Sequence, residues 1–257
     1  MKYIFLGVSA LLCAASAALT TMWSASMSAM GEMLMPGGWT MSMTWMRMPG
    51  QTWPGMAAMF IGMWVVMMVA MMLPSVAPML WTYHEAVDKT RAARPGWLTA
   101  LAGVGYFFVW TVFGLAAFPF GAALTTLEMR QPALSRAVPL AIGVVVLIAG
   151  VVQFTAWKAR LLACCRDASG LSITSPVSAG AAWQHGVRLG LQCGPCCANM
   201  MIILLVAGMM DLRVMAAVTA AITMERLAPA GERVARAIGA IIVAAALLLI
   251  TRAVGLA

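Results

Sequence analysis

Long apolar runs alternate along the chain with short polar or charged stretches. The runs cover about residues 1–22, 57–80, 98–124, 138–157 and 185–210, then a short run ending at Glu225-Arg226, then about 238–254. A helix needs about 20 residues to cross the hydrocarbon layer. The runs lack the alternation of barrel strands, and lipid offers no partner to backbone N–H and C=O groups, so each is expected to be helical. The pattern predicts an all-α, polytopic transmembrane helix bundle of about seven spans, or six if the first segment is a cleaved signal. Three regions follow: an N-terminal transmembrane helix or signal segment (1–22), a Met-rich loop (23–56) and the helix bundle (57–257).

Detail within the runs sharpens this outline. Met56, Met59, Met63, Met67 and Met71 follow spacings of three and four, a stripe down one helical face that Met68 and Met72 widen. Such a stripe serves either packing or a ladder of thioether ligands. Pro74 is expected to kink that helix. In the run 185–210, Gly190, Gly194 and Pro195 predict a kink or a short re-entrant start. If the regular helix begins at Pro195, Cys196 and Cys197 sit at its positive end. Residues 82–97 read as a charged connection in which His84 is solvated, and Glu225 and Arg226 as interfacial side chains reaching headgroups.

Composition agrees with a membrane protein: 63% of the residues are hydrophobic and only 9% charged, far from the soluble average of about 25% charged. The net charge of +8 does not indicate nucleic acid, because the basic residues are scattered between apolar runs rather than gathered on one face. Eleven of the 16 lysines and arginines fall on one side when the N-terminus is placed inside. The positive-inside rule therefore puts the N-terminus in the cytoplasm and the Met-rich loop outside.

Sulfur is the remaining anomaly. The six cysteines are Cys13, the adjacent Cys164 and Cys165, and Cys193, Cys196 and Cys197 within Gln-Cys-Gly-Pro-Cys-Cys-Ala-Asn-Met-Met. Clusters of this kind in a membrane chain favour metal or redox chemistry over disulfide stapling. Thiolates and thioethers are soft donors that suit Cu(I). Cys193, Cys197 and Met200 or Met201 recur at spacings of about four, close to one helical face, and His185, two turns earlier, is a candidate nitrogen ligand. Cys164 and Cys165 cannot readily bridge each other, but one of them can complete a site built by other segments. Seventeen of the 25 methionines lie between Met22 and Met79. Three Met-x-Met pairs occur there: Met33 with Met35, Met41 with Met43 and Met46 with Met48. In an extended segment each pair presents two thioethers to one side; alternatively these residues rest, with Trp39, Trp45 and Trp53, at the membrane interface.

Trp64 through Ser75 (Trp-Val-Val-Met-Met-Val-Ala-Met-Met-Leu-Pro-Ser), Lys158 through Arg166, His185-Gly186 with Cys193-x-x-Cys196-Cys197-x-x-Met200-Met201, and Met224-Glu225 together resemble an uncharacterised bacterial family described as predicted metal-binding integral membrane proteins. The resemblance covers roughly residues 57–227 and implies a multi-helix protein of the bacterial inner membrane with a metal site. Ala198 stands where an aromatic residue is expected, and Arg226 where lysine is usual.

The expected function is binding of a soft metal ion, Cu(I), for handling or transfer across or within the membrane. The candidate ligands are Cys193, Cys196, Cys197, Met200, Met201, His185, Cys164, Cys165, Met63, Met67 and Met71. Lipid bilayer and metal donor or acceptor proteins are the expected partners. Two alternatives are a structural or assembly subunit of a membrane complex and a membrane thiol-disulfide oxidoreductase using Cys193-Gly-Pro-Cys196. The βαβ context of a thioredoxin site is absent. No phosphate-cradling glycine motif points to ATP use.

Overall fold

The computed structural model describes residues 2–29, 33–34, 39–41, 45, 50–90, 94–167 and 178–255. Among them, helix α1 (Lys2–Ala29) is followed by a minimal antiparallel hairpin, β1 (Met33–Leu34) and β2 (Thr40–Met41), with Met33 opposite Met41. Then come α2 (Trp53–Lys89), α3 (Pro95–Arg130), α4 (Pro132–Val152), α5 (Ala156–Asp167), α6 (Ala179–Ala207), α7 (Leu212–Leu227) and α8 (Gly231–Gly255). Six helices, α1, α2, α3, α4, α6 and α8, are long and apolar enough to cross a membrane. The short run before Glu225 forms α7, whose 16 residues extend only about 24 Å at 1.5 Å per residue.

Local signals set the helix ends. Thr52 Oγ1 accepts from Gly55 N at 3.3 Å to cap α2, and Ser178 Oγ accepts from Ala181 N at 3.2 Å to cap α6. Gly208, with φ of 111°, ends α6 in a conformation that a side chain would resist. Asp211 then caps α7 by accepting from Arg213 N and Val214 N at 2.8 and 3.3 Å.

Helices α1 and α2 pack antiparallel: Phe5 meets Trp81, and the Cys13 thiol reaches the Ala70 carbonyl. Helices α2 and α3 do likewise, joined by Trp64 Nε1 donating to Trp110 O at 2.8 Å. Helices α3 and α6 run parallel, with Gly186 against Ala102, Gly190 against Val109 and Gly194 against Phe113. A Cβ on Gly190 would stand 2.8 Å from Val109 Cβ, so the backbones approach more closely than any larger residue permits. Without a hydrophobic force between helices in lipid, such small-residue contacts let van der Waals packing hold them together. Helices α4 and α8 form the second tight pair, antiparallel, with Gly143 on Ile250 and Gly150 on Ile242 and Val243.

Three expectations change here. Helix α6 passes unbroken through Gly190, Gly194 and Pro195, because those glycines fit α3 rather than breaking the helix; Cys196 and Cys197 therefore lie mid-helix, not at a positive end. Residues 82–89 belong to α2, and His84 is buried, its Nδ1 3.1 Å from Thr99 Oγ1 and its ring beside Trp81 and Phe5. The methionine stripe faces the core at Met56, Met63, Met67, Met68, Met71 and Met72, but Met59 is 64% exposed.

Candidate metal centre

Helix α6 is the spine of the site. Cys193, Cys196, Cys197, Met200 and Met201 are all buried, and Cys193 has no exposed surface at all. Cys193 and Cys197 are one turn apart, which brings their sulfurs to 3.6 Å. Cys197 also lies within hydrogen-bonding reach of the Cys196 sulfur.

Helix α5 supplies a fourth thiol. Consecutive helical residues point about 100° apart, so Cys164 is exposed while Cys165 turns inward to the sulfurs of Cys193 and Cys196. Hydrogen bonding toward those sulfurs, followed by burial, pushes the Cys165 thiol well above its ordinary range. Of the adjacent pair, only Cys165 joins the cluster.

Three other helices surround Cys193. Tyr106 of α3 donates its hydroxyl to Cys193 Sγ at 3.1 Å. Arg226 of α7 donates through Nη1 to Cys193 Sγ at 3.2 Å and to Ser75 Oγ at 2.9 Å, and through Nη2 to Met79 Sδ at 3.0 Å. One guanidinium thus links α7, α6 and α2 at a single sulfur. Among the described residues its Nε has no hydrogen-bond partner.

A closed polar network braces the cluster from the side of α4 and α5. Lys158 Nζ lies 2.8 Å from Glu225 Oε2, and both side chains are 2% exposed. The same ammonium donates to Cys196 O at 2.6 Å and to Asn199 Oδ1 at 3.4 Å. Gln153 Nε2 donates to the other Glu225 oxygen, and Asn199 Nδ2 to Ala149 O. Buried charge survives only when paired and hydrogen-bonded, and here the pair is bonded directly to the backbone that carries Cys196.

These positions correct two readings. Glu225 and Arg226 are not interfacial: both are buried, because each finds polar partners inside the bundle. Lys158 lies not in a loop but on α5, buried. The signal for all three was present, since an ionisable residue among membrane helices marks a functional or structural site. Tyr106, Ser75 and Met79 carried no such signal; only the packing of α2, α3 and α7 brings Tyr106 to Cys193, and Ser75 and Met79 to Arg226.

The other candidate ligands are distributed as follows. His185 is half-buried and stacks on Tyr83 at 4.4 Å between ring centres, about 12 Å along the helix axis from Cys193. Cys164 receives a long contact from Gln192 Nε2 at 3.8 Å. Met63, Met67 and Met71 line the same core from α2. Met35, Met43, Met46 and Met48 lie outside the described residues.

Among the described residues, no group of three or more His, Cys, Asp or Glu side chains is disposed to hold a metal ion. The centre instead offers close pairs of thiols, bordered by thioethers and screened from water, a donor set for a soft ion of low coordination number.

No curated protein and no solved structure matches the chain. A family model described as copper chaperone, PpoB2, matches residues 61–249. The match runs from α2 into α8 and so includes every residue of the sulfur cluster and of the Lys158–Glu225 network. With most of its length matched, sulfur centre included, this chain belongs to the PpoB2 copper chaperone family.

Proposed function

We propose that the protein carries Cu(I) within the bacterial inner membrane, holding it on the thiols of α6 and exchanging it with donor or acceptor proteins. The observation that carries this reading is the contact of Cys193 Sγ and Cys197 Sγ at 3.6 Å in a fully buried setting. Two thiolates suffice for Cu(I), whereas structural Zn(II) takes four Cys or His ligands. Cys196 and Cys165 adjoin this pair and offer alternative sulfurs for an ion in transit. Met200 and Met201, one turn along α6, continue the soft-donor surface.

Membership of a copper chaperone family supports copper as cargo. The excess of basic residues on one side supports an N-terminus inside and a Met-rich segment outside, where thioethers bind copper without being lost to disulfides.

The test is anaerobic titration of the purified protein with Cu(I) against a chromogenic chelator. Stoichiometric binding is expected, with loss of that binding when Cys193, Cys196 and Cys197 are replaced together by serine. Undiminished binding by the triple variant would overturn the assignment.

A further inference from the structure

We infer that Arg226 is the countercharge of the loaded site: it neutralises one Cu(I) held by two thiolates, a unit of net charge −1, and so selects monovalent over divalent ions. This rests on the copper-carrier reading above.

Arg226 is 3% exposed. Its sequence neighbour Glu225 is turned to Lys158 and Gln153, and among the described residues no carboxylate pairs with the guanidinium. Its bonds go to a hydroxyl, a thioether and the Cys193 sulfur. A buried cation is costly unless an anion adjoins it. The group placed to become that anion is the sulfur that Arg226 already touches.

The charges balance for one stoichiometry. One Cu(I) on two thiolates is a unit of charge −1, any thiol proton leaving to solvent; copper stays Cu(I) and no electron moves. Together with Arg226 the site is then neutral, and the Lys158–Glu225 pair beside it is neutral already. A divalent ion on the same two sulfurs would be uncharged and leave Arg226 uncompensated. It would need a third anionic ligand, and no three such groups are disposed around one point among the described residues.

The experiment compares wild type, Arg226→Lys and Arg226→Met as full-length protein in detergent, with Cu(I), Ag(I) and Zn(II) affinities and thermal unfolding measured on each. Wild type is expected to prefer both monovalent ions to Zn(II). Arg226→Met should lose about tenfold or more in Cu(I) and Ag(I) affinity, as expected for removing one close charge, without losing Zn(II) affinity. Arg226→Lys, which keeps the charge, should lose less than Arg226→Met. Folded Arg226→Met with wild-type Cu(I) affinity overturns the inference, as does folded Arg226→Lys that loses as much as Arg226→Met. Should Arg226→Met fail to fold, the wild-type ion preference decides, and Zn(II) bound as tightly as Cu(I) and Ag(I) contradicts the inference. Wild type that binds no Cu(I) overturns the copper-carrier reading itself.

Discussion

Lys158 and Glu225 face each other at 2.8 Å with almost no exposed surface. Removing one partner from such a pair strands the other charge, which costs about 3–5 kcal/mol, whereas replacing both with apolar or neutral groups of similar size is often close to neutral. Lys158→Met should therefore lower thermal stability in detergent by about that amount, and Lys158→Met with Glu225→Gln should recover most of it. A double variant no more stable than the single one would show that the pair is not coupled. The two adjacent cysteines differ just as sharply. Cys165→Ser removes a thiol that reaches Cys193 and Cys196 and should weaken Cu(I) binding. Cys164→Ser alters an exposed side chain and should leave it unchanged, as competition titration of both variants would reveal.

At the scale of elements, the contact of α3 with α6 fixes the distance between Tyr106 and Cys193. Gly190 has the Val109 side chain and the Tyr106 carbonyl within 3.1 Å of where its Cβ would be. Gly190→Leu should push the helices apart and cost about 1–3 kcal/mol, the usual penalty of overpacking, with Cu(I) affinity falling as well. Thermal unfolding and metal titration on the same preparation check both effects. The helices themselves were legible in the sequence, since continuous apolar runs leave few alternatives in lipid. The glycines of α6 were not: one residue type signals both a broken helix and a close helix contact. Only the position of α3 decides between them. Cys165 was likewise ambiguous beside Cys164, because spacing along one helix does not say which face meets α6.

At the scale of the whole molecule, five helices, α2, α3, α5, α6 and α7, all contribute to one sulfur centre. The motif in α6 announced the sulfur chemistry; the charged groups beside it became legible only when α5 and α7 folded against it, since a lone Lys or Arg near a run's end reads equally well as a topology signal. Sidedness makes its own prediction. A reporter fused to the N-terminus should be active in the cytoplasm and one inserted between Met41 and Gly50 active outside; the reverse pattern would overturn the orientation proposed from the basic residues. The central claim is that the close thiol pair of α6 holds Cu(I), and its most direct test is anaerobic Cu(I) titration of wild type beside Cys193→Ser/Cys197→Ser. One tightly held Cu(I) per wild-type chain and loss of that ion in the folded double variant are predicted. Equal stoichiometry and affinity in the two proteins would contradict the claim.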